Sequence, residues 1–303
     1  MKKDFLSIAD LTPDGVWDLL RSAKEMKVRT KGGELYAPLA GKTLAMIFQK
    51  PSVRTRVSFE VGMYQLGGRA LYLSPKEIRI GQREAISDVA RVISRYCNGI
   101  MARLFAHTDM LDLAKYASVS VINGLDDLLH PCQVMGDIFT IWEHRHTLDD
   151  LKVAWVGDGN NVANSWINLA SKIPMALHLA VPEGYEPDGE ILKAAWRAGI
   201  SQVKVVHSPQ EAVTCADVIY TDVWASMGQE AEKGEREIKF KDFRVDRGLV
   251  GLAKENVMVM HCLPAHRGEE IAAEVIDGPR SVVFDQAENR LHIQKAIMAA
   301  LMS

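Results

Sequence analysis

Apolar and polar positions along this chain fall into two alternating patterns. Short apolar runs at 44–48, 70–73, 99–103 and 119–122 read as buried strands, and the stretches near 53–66, 84–96 and 108–117 between them carry helical spacing. The second half repeats the scheme, with strand-like runs at 152–156, 178–181, 203–206, 217–220, 257–260 and 282–284 and helices near 161–172, 188–199 and 210–215. Strand-helix alternation of this kind favours parallel sheets covered on both faces. The pattern predicts an α/β chain of two doubly wound parallel-sheet domains joined by interdomain helices. Segment 132–146 sets Val134, Ile138, Ile141 and Trp142 at helical spacing and reads as one helix bridging the halves. Segment 286–301 reads as a last amphipathic helix whose docking site periodicity leaves open.

Length agrees with two lobes, since 303 residues exceed one ordinary core. Composition, at 48% hydrophobic and 25% charged, is that of a globular chain and excludes collagen, coiled coil and low-complexity sequence. The net charge of −3, from 36 basic and 39 acidic residues, gives no global attraction to nucleic acid or anionic membrane. Any anion site must therefore be local. No uncharged apolar run approaches membrane-spanning length, and Asp4 and Asp10 interrupt a signal-like start after Lys2 and Lys3, so a cytoplasmic protein is expected. Cys97, Cys132, Cys215 and Cys262 are scattered without a CxxC pair, which favours thiols over disulfides.

Five polar motifs follow predicted strands, where loops of doubly wound sheets converge on a crevice. Phe48-Gln49-Lys50-Pro51-Ser52-Val53-Arg54-Thr55-Arg56 opens a helix with hydroxyls and a guanidinium, a build suited to phosphate; a plain Ser cap with solvated arginines fits about equally well. It lacks the GxxxxGK[ST] pattern of nucleoside-triphosphate loops. Arg103, with His130-Pro131-Cys132-Gln133, offers donors that would polarise a carbonyl, or else caps and packs a helix. Gly157-Asp158-Gly159-Asn160-Asn161 resembles a dinucleotide fingerprint, with Glu183 near the position of a ribose-binding acid. It has Val162 where the third glycine belongs, while Asn161 and Asn164 suit an amino acid or a cap. Asp222, Ser226 and Gly228 read as an ammonium partner and a closing loop, and the charged run 230–236 as solvated surface. In His261-Cys262-Leu263-Pro264-Ala265-His266-Arg267, zinc with Cys132 and His130 is a minor reading, because adjacent strand residues point apart and no HxxxH accompanies them. A nucleophilic cysteine is a further option.

Taken in order, SVRTR, HPCQ, DVWASMGQE and HCLPAHRGEE resemble the aspartate/ornithine carbamoyltransferase family over essentially the whole chain. The Ser226-Met227-Gly228 loop and His261-Cys262-Leu263-Pro264 resemble its ornithine-type branch. The resemblance implies a carbamoyl-phosphate-binding domain at 1–131, completed by 286–303, a bridging helix at 132–147 and an ornithine-binding domain at 148–285. It implies that Ser52, Val53, Arg54 and Thr55 hold phosphate, and that Arg103, His130 and Gln133 hold the carbamoyl group. Arg290 would return to that site from the last helix, with Cys262 and Leu263 near the reacting nitrogen. Leu125, Asn161, Asp222, Ser226 and Met227 would hold L-ornithine, and Arg54, Arg103, His130, Cys262 and Arg290 form the implied catalytic set.

No cofactor and no metal are implied. The implied assembly is a homotrimer or a multiple of trimers, with a loop near 74–84 reaching a neighbour through Arg79 or Arg83. Two departures stand out: Val53 replaces a frequent Thr, and Arg79 stands where some members carry Gln. The implied reaction is attack of the ornithine δ-amine on the carbamoyl carbon, giving citrulline and phosphate in arginine metabolism, with biosynthesis the expected direction. Other readings are transfer to putrescine or an acylated ornithine, an NAD-dependent dehydrogenase resting on GDGNN alone, and a non-catalytic amino-acid-binding partner.

Overall fold

The computed structural model describes residues 3–78, 80, 84–225 and 232–303. The chain divides into two compact units, residues 1–139 with 288–303 and residues 140–287.

Unit 1 opens with α1 (Pro13–Lys31), started by Thr12, whose side chain accepts from the Gly15 amide, and by Pro13 in the first turn. Then come β1 (Thr43–Phe48), α2 (Val53–Gln65), β2 (Arg69–Leu73), the single turn α3 (Pro75–Ile78), α4 (Ile86–Tyr96), β3 (Gly99–Arg103), α5 (His107–Tyr116) and β4 (Ser120–Leu125). All four strands are parallel, in the order β2-β1-β3-β4. Strands buried on both faces need continuous apolar side chains, and Leu44 to Phe48 of β1 are fully buried. After β1 the chain steps to β2 on one side and then crosses back to β3 on the other. The order therefore switches between β1 and β3, whose last residues, Phe48 and Arg103, lie in register. Helix α6 (Pro131–Arg145) and the final helix α13 (Val283–Met302) each run across the boundary between the units in sequence.

Unit 2 contains β5 (Lys152–Val156), α7 (Asn161–Ala170), β6 (Ala176–Ala180), α8 (Gly189–Ala198), β7 (Gln202–Val206), α9 (Pro209–Val213), β8 (Val218–Thr221), α10 (Lys233–Phe240), α11 (Arg247–Val250), β9 (Met258–His261) and α12 (Ala273–Ile276). Its five parallel strands run β7-β6-β5-β8-β9. The same logic puts its switch between β5 and β8, where Val156 pairs with Thr221.

Two expectations are corrected. The apolar triplet 282–284 is not a strand. Ser281 makes one bridge to Val259 and the Val282 amide donates to the Val259 carbonyl, after which the chain enters α13. A short apolar run bounded by polar residues suits a strand or a buried first helical turn equally well. The charged run ending at Arg236 is not all solvated surface either: α10 buries Arg236 and Phe240.

Candidate active site

At the unit 1 switch point Ser52 caps α2, its Oγ accepting from the Thr55 amide at 3.3 Å and donating to Thr55 Oγ1 at 3.0 Å. The first turn of α2 is thus held in place, with the positive end of its dipole at the strand ends. Gln49 ties those ends together: its amide donates to the Arg103 carbonyl and its Oε1 accepts from the Phe105 amide. His130 is placed by its own loop, where buried Asp126 accepts from the amides of Leu128 and Leu129 and its backbone N–H donates to the Leu129 carbonyl.

Arg290, on the second turn of α13, donates to Gln133 Oε1 at 3.2 Å and, through its other terminal nitrogen, to Thr55 Oγ1. That reach depends on Gly136, where a Cβ would lie 3.2 Å from the Arg290 Cα. Five of the expected residues, Thr55, Arg103, His130, Gln133 and Arg290, are buried, and Ser52 and Arg54 stand at their edge. Val53 is exposed, so only its backbone is available to a ligand at the helix end.

The electrostatics of this cluster are one-sided. Burial, then the guanidiniums of Arg290, Arg103 and Arg54, hold His130 well below the ordinary imidazole range, so its ring is neutral at pH 7. The Arg54 Nε is buried without a hydrogen-bond partner. Three guanidiniums around a neutral imidazole and a helix N-terminus make a cradle for a dianion. Cys132, beside it, is pushed up to about 12 by burial and is an inert thiol. Leu125 also lies in unit 1, at the end of β4.

At the unit 2 switch point the signs reverse. Asp222 follows β8, 7% exposed; its Oδ2 accepts from Asn160 Nδ2 at 2.9 Å, and its Oδ1 accepts from the Cys262 thiol at 2.9 Å and the Val223 amide. Asn160 caps α7 with its Oδ1 and orients Asp222 with its Nδ2, while Asn161 occupies the first helical position. Asn164 is turned inward and accepts from the Asp188 amide. His261 ends β9; its Nδ1 accepts the Leu263 amide proton at 2.9 Å, so its Nε2 is the protonated nitrogen and donates to buried Glu270 at 3.2 Å. Burial raises Glu270, but the bonds from His261 and the His266 amide outweigh it and hold it below the usual carboxylate range. Leu263 is fixed there with φ +57°.

Sequence reasoning assigned no role to Asn160, Glu270 or Arg236, which act through contacts 62, 9 and 78 residues away. Only the chemistry of Asn160 within the GDGNN motif gave any hint. Ser226, Met227, Arg79 and Arg83 lie outside the described residues.

The dinucleotide reading has a different explanation in the packing. A Cβ on Gly159 would stand 2.4 Å from the Pro187 nitrogen, so this glycine admits the 185–187 backbone and not a pyrophosphate. Glu183 is exposed. The expectation that His261 and Cys262 point apart is corrected. Each presents a ligand atom within 4.8 Å of the other and of Asp222, because Cys262 lies beyond the strand end. Those atoms already hydrogen-bond to Glu270, Leu263, Asn160 and one another.

Comparison with known proteins settles the family. A model described as the carbamoyl-P binding domain of aspartate/ornithine carbamoyltransferase matches residues 3–143, and its Asp/Orn binding domain counterpart matches 149–301. This chain belongs to the aspartate/ornithine carbamoyltransferase family. Within that family it is 54% identical to the ornithine carbamoyltransferase of Syntrophus aciditrophicus, with all of both chains covered. It is 54% identical to the anabolic ornithine carbamoyltransferase of Pyrococcus furiosus, covering 99% of this chain and 96% of that one. The solved ornithine carbamoyltransferase structure from P. furiosus superposes with a TM-score of 0.95 over 99% of this chain and 96% of that one. The anabolic ornithine carbamoyltransferase from Campylobacter jejuni, 36% identical and covering 98% of both chains, superposes at 0.94.

Proposed function

We propose that this carbamoyltransferase moves the carbamoyl group of carbamoyl phosphate to the δ-amine of L-ornithine, giving L-citrulline and phosphate in the direction of arginine biosynthesis. The observation that carries this reading is the pairing of chemistries: a cradle of buried Arg103 and Arg290 with half-buried Arg54 at one switch point and a buried carboxylate with a thiol at the other. In it, Ser52, the Val53 backbone and Arg54 hold the phosphate, and Arg103, His130, Gln133 and Thr55 hold the carbamoyl oxygen.

Thr55 Oγ1 already accepts from Ser52 and Arg290, which leaves its own proton for a developing oxyanion. A neutral His130 donates a hydrogen bond without adding another cation to the cluster. Arg54 and Arg290 neutralise the departing phosphate, which is basic enough to take the amine proton. Asp222 takes the ornithine ammonium in place of the Cys262 thiol, with Asn161, Leu125, Ser226 and Met227 completing the ornithine set. Cys262 and the Leu263 carbonyl face the reacting nitrogen. Free ornithine is neutral at its δ-nitrogen in only about one molecule in a thousand at pH 7, so selecting that form is the first task of this half of the site.

The assembly in this reading is a homotrimer or a multiple of trimers. On α2, Val53, Val57, Val61 and Tyr64 form an exposed apolar stripe at helical spacing, with Leu71 of β2 also exposed, and such a patch favours a second copy. Arg79 or Arg83 would reach the neighbour's phosphate; changing both to Ala is expected to raise the KM for carbamoyl phosphate. Four reduced cysteines fit a cytoplasmic setting.

The test is a citrulline assay with carbamoyl phosphate against ornithine, putrescine, aspartate and acetylornithine. Turnover with ornithine alone is expected. Preference for putrescine or acetylornithine would transfer the assignment to another amine.

A further inference from the structure

Arg236 lies on α10, 14 residues beyond Asp222, and is 6% exposed. Its Nη1 donates to Asp158 Oδ2 at 2.9 Å and to the Trp224 carbonyl at 2.8 Å, its Nε donates to Glu232 at 2.9 Å, and its guanidinium lies over the Tyr185 ring at 4.9 Å. These contacts bracket Asp222 from both sides. Asp158 begins the loop in which Asn160 donates to Asp222, and Trp224 is two residues after Asp222 on the other strand end. One terminal nitrogen thus ties together both chain segments that hold the carboxylate, while Nε anchors the group to Glu232. A lysine ammonium could make the two Nη1 contacts but not the stacked, multiply anchored arrangement of the planar group over Tyr185.

We propose that Arg236 is a positioning residue for the ornithine ammonium subsite, fixing the two strand-end segments at the β5/β8 switch point so that Asp222 is held where the α-ammonium meets it. The inference rests on the ornithine reading above and adds a positioning residue to it. Arg236 joins the segment that carries Asn160 to the segment that carries Asp222, and Asp222 is the carboxylate left to meet the α-ammonium. Asp158 is the responsive member. Burial lifts it to about 6, Arg236 opposes that rise, and Asp222 and Glu232 add to it. Removing an adjacent cation shifts a carboxyl upward, so without Arg236 the Asp158 carboxyl holds a proton at neutral pH, and the contacts that tie Asp158 to the Trp224 carbonyl are lost.

The test is steady-state kinetics of the full-length enzyme from pH 6 to 9.5 for wild type, Arg236→Gln, Arg236→Lys, Asp158→Asn and the Arg236→Gln/Asp158→Asn double variant, with thermal unfolding of each. Expressing results as the ratio of variant to wild-type KM cancels titration of ornithine itself. For Arg236→Gln the ornithine ratio is expected to be on the order of tenfold across this pH range, because the lost contacts are positional. The KM for carbamoyl phosphate should stay within about twofold, Arg236→Lys should recover part of the loss, and the double variant should lose no more than Arg236→Gln alone, because both changes break the same contact. Should Arg236→Gln not fold, Arg236→Lys carries the same comparison. An ornithine ratio near one, no recovery in Arg236→Lys, or equal losses for both substrates would overturn the proposal. If wild type makes no citrulline from ornithine, the functional reading fails and the inference falls with it. If wild type is active, the variants judge the inference alone.

Discussion

The two switch points are built alike and charged oppositely. Unit 1 gathers three guanidiniums around a helix end and a neutral imidazole, whereas unit 2 gathers carboxylates, an amide and a thiol. Their rigidity differs as well. In unit 1, α13 returns to brace the cluster, with Arg290 on Thr55 and Gln133. In unit 2 the central contact is a thiol donating to a carboxylate, a weak bond that the ammonium of the proposed substrate would replace at small cost. A preformed cradle suits a dianion that must be bound and then stabilised as it leaves. An exchangeable partner suits an amine that must be sorted by protonation state. Doubly wound topology supplies the two locations, and the side chains decide which reactant each receives.

Breaking the cationic half has the largest expected effect. Arg54→Ala should lower citrulline formation by about 10² to 10³ or more, the usual loss for one preorganised donor to developing charge, while thermal unfolding stays near wild type because Arg54 is only half-buried. Turnover within a few fold of wild type would remove Arg54 from the site. Neutralising the other half is expected to act on one substrate only. Asp222→Asn should raise the ornithine KM roughly 10- to 100-fold, the range of a lost charge-assisted hydrogen bond at about 1.5 to 3 kcal/mol. The KM for carbamoyl phosphate should hold, and an unchanged ornithine dependence would contradict the assignment.

The smallest effect sharpens the contrast by asking where unit 1 tolerates positive charge. Beyond Arg290, α13 buries two further bases held toward their neutral forms: Lys295 is lowered to about 8 by burial, and His292 to about 4 by burial and then by Lys295, against the pull of Glu288. A histidine titrating lower in the folded chain than in the unfolded chain contributes fully above about pH 6.5, and its contribution is lost as pH falls toward 4. Between pH 7.5 and pH 5 that amounts to roughly 2 kcal/mol. His292→Gln should flatten the acid side of the stability profile by about that amount in denaturant unfolding, and an unaltered profile would show that this ring is not the acid-sensitive group.

How far these halves could be read from sequence follows from how local each is. The turn proposed to hold phosphate is contiguous, since Ser52, Arg54 and Thr55 share one helix start directly after a strand, so spacing and cap chemistry marked it as a candidate. The strand alternation was equally plain, because buried parallel strands are uninterrupted apolar runs. Helix α1 carries a start signal at Thr12 and Pro13, but it stands outside the alternation and gave no strand-linked cue. The triplet 282–284 misled because β-branched and aromatic residues serve a buried helical turn as readily as a strand. Arg236 and Glu270 were illegible for a different reason. In sequence they belong to charged runs, and only the fold reveals that one meets Asp158 and the other His261 inside the protein.

Unit 1 is discontinuous in sequence, leaving the chain at Phe139 and resuming only at Glu288. Lys27 donates to Asn289, Lys31 pairs with Glu288 and Lys295 donates to Thr30, so α1 waits for α13, which is made more than 250 residues later. Domains generally fold as the ribosome delivers them, N-terminal part first. Here a nascent polypeptide can assemble the β-sheet of its first domain early, yet it holds no complete anion cradle until translation has passed Arg290.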